Sequence, residues 1–448
     1  MLILGQTIEF TGDPFAAPWE ACVRHRERGG VLVEGGTIAA VGEADALRAA
    51  HPGAEVADHG RDLVLPGFVD AHMHYPQTGI VASWGKRLMD WLDAYTFPEE
   101  MRLADPAYAR GAADATLDLA LLNGTTTLLS FCTTHPHSAD AWFEAAEARG
   151  MRVAGGKTCM DRNAPDGLKD TARRAYDESK ALLARWHGRG RASYAVTPRF
   201  TPTSSLEQME ALGALWAEHP TCLMQTHLSE QEDEVGWVRA LHGSARDYLD
   251  TYEAHGLLGP GAVFGHAIHL TGRERDRLAE AGAAVAHCPT SNAFIGSGLM
   301  DLAGLKGRGV SVGLATDTGG GSSFSMLRTM AAAYEVAQLR GHAVHPSQLL
   351  WLATEGSAGA LRLDGVVGRL APGAEADLVV LDLLSTPAIA QRARRAADVW
   401  EAVFPTIMMG DDRAVRATYV AGRAASRQQL SANIITHMPP DWPMPNTP

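Results

Sequence analysis

The stretch LPGFVDAHMHYPQTG, residues 65–79, ends a short apolar run with two histidines that are one residue apart. Because successive side chains of a strand point to opposite faces, His72 and His74 lie on the same face of a predicted strand, about 7 Å apart. Two imidazoles on one face can share a metal ion, although histidines at this spacing also occur as hydrogen-bonded core residues. The rest of the chain has to decide between these two interpretations.

Seven further apolar or β-branched runs follow, separated by helix-type sequence rich in Ala, Leu, Arg and Glu. The eight runs are 67–74, 125–131, 151–159, 191–200, 222–228, 262–270, 283–288 and 310–317. This alternation is typical of βα units, and eight units over about 300 residues predict an α/β protein with a (β/α)8 TIM-like barrel. The active site of such a barrel lies at the carboxyl ends of its strands.

Both ends of the chain follow a different pattern. Residues 1–66 and 368–448 alternate and turn on glycines, as in VLVEGGTIAAVGE, which is typical of antiparallel strands. We predict that these two ranges pair into one small β-sandwich domain and that residues 67–367 form the catalytic barrel. The Pro-rich tail PPDWPMPNTP, residues 439–448, is the segment expected to be disordered.

Composition limits the class of partner. The chain has 448 residues, a net charge of -13 and no basic run, which argues against a nucleic acid or an anionic membrane surface and favours a small neutral ligand. The start MLILGQTIEF lacks the basic segment and cleavage pattern of a signal peptide, and no apolar run approaches a membrane span, so we expect a cytoplasmic protein. Five scattered cysteines make a disulfide framework improbable.

Polar residues at the ends of three more predicted strands favour the metal interpretation. His227 lies in THLSE, His266 in GHAIH and Asp317 in ATDTGGG. Imidazoles with a carboxylate are ligands that suit Zn²⁺, with Fe²⁺ as an alternative. The sequence therefore predicts a metal site at the carboxyl ends of the strands.

The ordered motifs PGFVDAHMH, QTHLSE, GHAIHL, HCPTSN and ATDTGGG resemble the amidohydrolase superfamily over essentially the whole chain. Within it, HYPQTGIVASWG, WLDAYTFPEE, MDRNAPD and TPRFTPTSS are similar to the guanine deaminase family. The metal ligands that this resemblance implies are His72, His74, His227 and Asp317. Two-metal members carry a bridging lysine on strand four, but RASYAVTPRF has none, so we expect one ion per chain. Lys157, on strand three, is expected to have a structural or substrate-side role.

The resemblance implies hydrolytic deamination of guanine to xanthine and ammonia by a metal-activated hydroxide. A bound metal lowers the pKa of its water to about 7, which makes this nucleophile available near neutral pH. We expect Asp317 to accept the water proton, His266 to orient the hydroxide and Glu230 to protonate a ring nitrogen. The neighbouring carboxylates at 232–234 are interpreted as solvated.

The residues expected to contact the substrate are His74, Gln77, Arg199, Phe200, His227, Glu230 and Asp317. Gln77 offers a donor and an acceptor to a purine edge, Arg199 offers a fork of N–H groups to the purine carbonyl, and Phe200 offers an apolar wall. The aromatic residues at 84, 91, 95 and 97 either stack on the ring or pack the loop. We expect the protein to be a homodimer.

Two alternatives remain open at this point. A related ring hydrolase, such as an 8-oxoguanine deaminase or an s-triazine hydrolase, would share the metal ligands and differ in the specificity groups. A non-catalytic scaffold of the same fold would belong to another class of protein. Such scaffolds typically lose metal ligands, and all four are present in this chain.

Overall fold

The structure, a computed structural model, describes residues 1–84 and 87–437, so the Pro-rich tail lies outside the described residues. Its strands are β1 Leu2–Phe10, β2 Val23–Glu34, β3 Thr37–Glu43, β4 Val56–Pro66, β5 Phe68–His74, β6 Thr125–Phe131, β7 Arg152–Gly156, β8 Thr158–Cys159, β9 Ala192–Pro198, β10 Leu223–Leu228, β11 Ala262–His266, β12 Ala284–His287, β13 Ser311–Leu314, β14 Leu378–Leu381, β15 Val415–Val420 and β16 Arg423–Ala424.

The α-helices lie between and after these strands. They are α1 Trp19–Cys22, α2 Ala44–Ala50, α3 Leu88–Trp91, α4 Phe97–Arg102, α5 Pro106–Leu122, α6 Pro136–Arg149, α7 Ala172–Trp186, α8 Leu206–Glu218, α9 Glu232–Leu241, α10 Tyr248–Glu253, α11 Gly272–Glu280, α12 Pro289–Phe294, α13 Leu302–Lys306, α14 Met326–Leu339, α15 Pro346–Trp351, α16 Ser357–Ala360, α17 Pro387–Ala393, α18 Val399–Met409 and α19 Arg427–His437. None of the helices in the described ranges is long and apolar enough to cross a membrane.

Eight parallel strands form the predicted barrel, in the order β5, β6, β7, β9, β10, β11, β12 and β13, and the short β8 pairs with β9. Backbone hydrogen bonds close the ring between the end of β5 and the segment after β13. The Asp317 amide donates to the His72 carbonyl at 2.9 Å, and the His74 amide donates to the Thr318 carbonyl at 2.6 Å. This architecture confirms the predicted fold class.

Three of the predicted runs are either divided or end as strands well before their predicted last residue. The run 151–159 is divided into β7 and β8 at Lys157, and the runs 262–270 and 310–317 end as strands at His266 and Leu314. His266, the last residue of β11, has a φ of 68°, and Asp317, which follows the end of β13 at Leu314, has a φ of 48°. Because a left-handed residue interrupts extended backbone, neither strand continues past these positions.

The two chain ends share one seven-stranded sheet, in the order β16, β15, β14, β4, β1, β2 and β3. Antiparallel pairing of β4 with β14 joins the first part of the chain to the last. The pairing of β1 with β4 is parallel, unlike the antiparallel pattern predicted for these ranges, because β2, β3 and α2 form a crossover connection between them. The domain bounds 1–66, 67–367 and 368–448 stay a prediction, and residues 438–448 of the last range lie outside the described residues.

Ion pairs connect this sheet to the amino-terminal side of the barrel strands. Glu375, just before β14, accepts from Arg152 Nε at 2.8 Å and from Arg191 Nε at 3.0 Å. Arg191 Nη2 also donates to Asp377 at 2.5 Å. Burial alone would raise the pKa of Glu375, but the hydrogen bonds from Arg152 and Arg191 outweigh burial and lower that pKa.

We predict that Glu375→Gln lowers the free energy of unfolding at pH 7 by about 2 kcal/mol, since charged hydrogen bonds are lost while both arginines stay partly buried. A carboxylate with a lowered pKa stabilises the fold above its unfolded-state pKa and loses this effect as pH falls through the folded-state value. The difference in free energy of unfolding between the variant and wild type should therefore shrink as the pH falls below 4.5, the ordinary pKa of a glutamate. Urea denaturation across this pH range measures it.

The control is Glu401→Gln, which removes a half-exposed pair with Arg392 at 3.3 Å. Exposed pairs contribute less than about 1 kcal/mol, so this variant should stay close to wild type. An equal loss of stability in both variants would show that Glu375 does not connect the two parts of the fold.

Candidate active site

A local irregularity of β5 turns both histidines of the opening motif into the barrel. Val69 and Ala71 pack in the barrel interior, whereas Met73 packs in the cluster between the strands and the outer helices. The pairing of β5 with β6 changes register between Asp70 and Met73, which shifts the alternation of side chains. His72 and His74 thus face the interior together, as the sequence pattern predicts.

The structure brings all four predicted metal ligands together. The Nε2 atoms of His74 and His227 are 3.1 Å apart. Asp317 Oδ1 lies 3.3 Å from His74 Nε2 and 3.4 Å from His72 Nε2. All four side chains are buried, at the carboxyl ends of β5 and β10 and after β13.

The donor atoms of this cluster fit a divalent cation. Both ring nitrogens of His72 are buried without a hydrogen-bond partner among the described residues, which is costly unless another group occupies the site. Burial lowers the pKa of His72 to about 4, so the ring is neutral, as a metal ligand must be. His227 Nδ1 contacts the Arg199 carbonyl at 2.6 Å, which directs Nε2 into the cluster.

A second group of potential ligands comprises His72, His266 and Cys288. Burial raises the pKa of the Cys288 thiol well above its ordinary value. Because a thiolate rather than a thiol binds metal, this group is the weaker candidate. The set of three imidazoles and one carboxylate therefore remains the better metal site.

Glu230, the predicted proton carrier, is buried beside this cluster. Its Oε2 lies 3.5 Å from His266 Nε2, and its Oε1 accepts from Ser297 Oγ at 2.9 Å. Burial raises the pKa of Glu230 to about 7, although His266 acts in the opposite direction. A carboxyl group with this pKa can take up and release a proton near neutral pH.

His266 is oriented by a residue that the sequence interpretation left unassigned. Its Nδ1 contacts Asn292 Oδ1 at 2.8 Å, and its Nε2 lies 3.8 Å from Asp317 Oδ2. Since Asn292 Oδ1 can only accept, His266 carries a proton on Nδ1 and directs Nε2 to the cavity. The motif HCPTSN contains Asn292, and its position in that motif was the available signal.

The interpretation of residues 232–234 as solvated is wrong for one member. Glu232 and Asp233 are exposed, but Glu234 is buried. Its Oε2 accepts from the backbone amides of Glu230 and Gln231, and its Oε1 accepts from Tyr248. Gln231 and Glu234 form a capping box at the start of α9, and the spacing of three residues was its sequence signal.

The predicted substrate residues line one cavity at the barrel mouth. Gln77 lies on the turn after β5, and Arg199 and Phe200 follow β9. Sequence reasoning missed Glu100, which lies behind this wall and contacts both Gln77 and Arg199. Its place in the motif WLDAYTFPEE gave no sign that it, rather than Glu99, would contact them.

The four aromatic residues after β5 were expected either to stack on the ring or to pack the loop, and the structure places them differently from one another. Trp91 is buried and lines the cavity, whereas Trp84 is 81% exposed. Tyr95 donates to the Trp84 carbonyl, and Phe97 packs under the Arg199 guanidinium at 5.4 Å. Only Trp91 of these four borders the cavity.

The surroundings of Lys157 fit a structural role, which was one of the two roles expected for it. It is fully buried, donates to Asp170 and lies 3.4 Å from Glu178. The cavity lining does not include it.

Comparison with known proteins places this geometry in a family. Residues 63–425 match the amidohydrolase family, and residues 29–54 match an imidazolonepropionase-like composite domain of bacteria. Guanine deaminase of Escherichia coli (strain K12) is 44% identical over 404 residues, which cover 90% of this chain and 92% of that protein. The chain therefore belongs to the amidohydrolase family, and within it to the guanine deaminases.

Solved structures agree with this assignment. The E. coli guanine deaminase structure matches with a TM-score of 0.92 and 42% identity, covering 95% of this chain and 99% of that one. A guanine deaminase from C. acetobutylicum, solved with guanine in its active site, matches with a TM-score of 0.86 and 26% identity over the same shares. An atrazine chlorohydrolase from Arthrobacter aurescens TC1 complexed with zinc shares the fold, with a TM-score of 0.83 and 23% identity over 98% of this chain and all of that one.

We predict that the protein, loaded with zinc and freed of excess ion, retains about one ion per chain, the number expected for one cluster of four ligands. His74→Ala should lose most of it, because its Nε2 faces both His227 and Asp317. Elemental analysis after gel filtration measures the content.

The control is His137→Ala, a ring after β6 that contacts the Leu103 carbonyl and lies outside the cluster. This variant should keep its metal. Two tightly held ions per wild-type chain, or full metal content in the His74 variant, would contradict the assignment.

Proposed function

We propose that this protein hydrolyses guanine to xanthine and ammonia. The observation that carries the proposal is one cavity at the barrel mouth whose lining includes Glu230, with a pKa of about 7, together with Gln77, Arg199 and three of the four predicted metal ligands. Guanine deaminases, one of them 44% identical to the chain, support the choice of substrate.

The proposed ligands of a divalent cation, zinc with iron as the alternative, are His72, His74, His227 and Asp317. A cation bound there would acidify a water molecule and so supply the nucleophile at neutral pH. The neutral histidines and the buried carboxylate together give a set of ligands that carries one negative charge.

The protein's own groups then transfer the protons. Asp317 accepts a proton from the attacking water, and His266 Nε2 orients that water. As the new C–O bond forms at the amino-bearing carbon, Glu230 gives a proton to a ring nitrogen. Glu230 then takes the proton of the new hydroxyl group as the carbonyl forms and passes it to the departing amino group, so the C–N bond breaks and ammonia leaves. The proton held by Asp317 returns Glu230 to its acid form. Ser297 holds Glu230 Oε1, which leaves Oε2 free for this exchange.

The cavity wall positions the purine. Arg199 donates to the purine carbonyl oxygen, Gln77 pairs with the adjacent edge, and Phe200 contacts the ring face. His74, His227 and Asp317 border the ring at the reacting carbon. These roles rest on the place of each residue in one cavity lining.

The alternatives have less support. The triazine hydrolase and atrazine chlorohydrolase structures are 22–23% identical to the chain and share the fold alone. An 8-oxoguanine deaminase would differ in specificity groups that the assay below compares directly. A scaffold without activity would not need a buried carboxyl group with a pKa near 7 beside intact metal ligands.

Two further parts of the proposal concern the cellular setting. We infer from the charge balance that the protein acts on a small-molecule substrate without a nucleic-acid or membrane partner, and the cytoplasmic location stays a prediction. The homodimer also stays a prediction, which light scattering tests.

Glu230→Gln keeps the size of the side chain but cannot carry a proton. We predict that kcat on guanine falls by a factor on the order of 10² or more, the usual contribution of general acid–base catalysis, while zinc content is unchanged. The change in ultraviolet absorbance from guanine to xanthine measures the rate. Glu232→Gln, which changes an exposed carboxylate two residues away, is the control and should keep the wild-type rate. A near wild-type rate for the Glu230 variant would exclude its proposed role.

Arg199→Lys keeps the charge but loses the fork of N–H groups. We predict that kcat/KM for guanine falls, because a point charge does not replace this geometry. Adenine, which has an amino group where guanine has the carbonyl, should be a very poor substrate for wild type, with discrimination that can reach about 10⁴. The assay compares guanine, 8-oxoguanine, adenine and a diaminotriazine. A wild-type preference for adenine or the triazine would refute guanine as the substrate and leave the metal hydrolase assignment standing.

A further inference from the structure

Glu100 lies on α4, directly behind the wall of the cavity. Its side chain is 1% exposed, and it is absent from the cavity lining. Gln77 Nε2 donates to Glu100 Oε1 at 2.8 Å. Arg199 Nη1 donates to both carboxylate oxygens, at 2.9 Å to Oε1 and 2.8 Å to Oε2. One buried carboxylate therefore holds both recognition residues.

This contact fixes which end of the Gln77 amide faces the cavity. A carboxylate in an ion pair is an acceptor only, so the NH2 group of Gln77 has to turn towards it. The reverse orientation would place the amide oxygen against a carboxylate oxygen. Gln77 Oε1 has no donor among the described residues and points away from Glu100, so the cavity meets an acceptor at this position.

The same contact makes Arg199 a hydrogen-bond donor whose positive charge is balanced by Glu100. Both oxygens of Glu100 engage one nitrogen, Nη1, so the other N–H groups of the guanidinium remain for a ligand. In the described part of the chain these groups have no hydrogen-bond partner. Because the ion pair balances the guanidinium charge, the wall suits a neutral carbonyl better than an anion.

We propose that Glu100 is a positioning residue that sets the hydrogen-bond polarity of the cavity wall and thereby the ring edge that the enzyme accepts. The wall presents an acceptor from Gln77 next to a donor from Arg199. Its complement is a cyclic lactam, in which a ring N–H lies beside a carbonyl. A ring nitrogen beside an amino group has the opposite polarity. Its nitrogen, an acceptor, would face the Gln77 acceptor, and its amino group, a donor, would face the Arg199 donor. This inference rests on the proposed function and names the group that determines its specificity.

The test compares guanine with 2,6-diaminopurine in the zinc-loaded enzyme. Both rings carry the same amino group on C2, but only guanine has the lactam edge, so the ratio of their kcat/KM values reports polarity separately from the chemical step. Wild type should prefer guanine by at least about 10²-fold, since two buried groups are mispaired by the other ring. In Glu100→Gln the residue at 100 can donate as well as accept, Gln77 can turn over, and the ratio should fall at least about tenfold.

Glu99→Gln is the matched control. Glu99 is a buried carboxylate on the same helix that pairs with Tyr108 and Arg102 instead of the cavity wall. Its variant should keep the wild-type ratio. Inhibition constants of hypoxanthine, which has the lactam edge, and of adenine should converge in the Glu100 variant, which separates binding polarity from turnover. If thermal melting or zinc content shows that Glu100→Gln does not fold, Glu100→Asp replaces it, and its shorter carboxylate should lower the ratio at least about threefold.

The outcomes separate the two proposals. A wild-type enzyme without activity on guanine refutes the proposed function. An enzyme that deaminates guanine but shows no preference over 2,6-diaminopurine, or whose folded Glu100 variant keeps the wild-type ratio, refutes the role of Glu100 and leaves the deaminase assignment intact. A ratio that falls in the Glu100 variant and not in the Glu99 variant supports the inference.

Discussion

The active site depends on how the barrel closes between its first and last strands. Asp70 of β5 is buried at this seam and accepts from the backbone amide of Thr316 at 3.0 Å, from its hydroxyl at 2.5 Å and from the His72 amide at 3.3 Å. Burial raises the pKa of Asp70 to about 7, and the bonds from Thr316 act against this shift. The carboxylate thus fixes the chain on both sides of the seam, and His72 and Asp317, which come from opposite ends of the barrel sequence, are held at 3.4 Å.

Around this seam, four of the groups that face the cavity have a partner behind them that fixes their orientation. When one side of a ring or carboxyl group is hydrogen-bonded, its other side presents a defined atom to a ligand. Residues behind the cavity wall usually have this orienting function in an active site. The observed pairs are His227 with the Arg199 carbonyl, His266 with Asn292, Glu230 with Ser297, and Arg199 with Glu100. Arg199 acts in both layers, since its carbonyl fixes a proposed metal ligand while its side chain faces the cavity. Recognition of the substrate and the metal cluster are therefore connected through one residue.

The sequence predicted the layer that faces the cavity and missed most of the layer behind it. Strand alternation places His72 and His74 on one face, and the ends of barrel strands collect His227 and Asp317, so these positions follow from chain order and local geometry. Glu100 and Asn292 act through contacts with residues 23 to 99 positions away, and no local pattern marks such contacts. The early ends of β11 and β13 were missed for a related reason. Left-handed backbone at His266 and Asp317 is a property of the assembled barrel mouth, and neither residue type favours it strongly enough to be read from sequence.

Three buried glutamates near the cavity show why residue type and burial do not by themselves assign a role. Glu100 contacts a guanidinium and an amide, so its carboxylate is bound on both oxygens. Glu234 accepts from two backbone amides and a tyrosine hydroxyl, and all of these contacts belong to the start of α9 and its neighbour α10. Glu230 accepts from one hydroxyl group on Oε1, and its Oε2 lies 3.5 Å from His266 Nε2, which acts to lower the Glu230 pKa against burial. Burial raises the pKa of Glu230 to about 7 and also raises the pKa of Glu234, but of these three glutamates only Glu230 lines the cavity. The glutamate that can exchange a proton with a ligand is therefore distinguished by its access to the cavity, and a run of acidic residues in a sequence cannot show which of its members has this access.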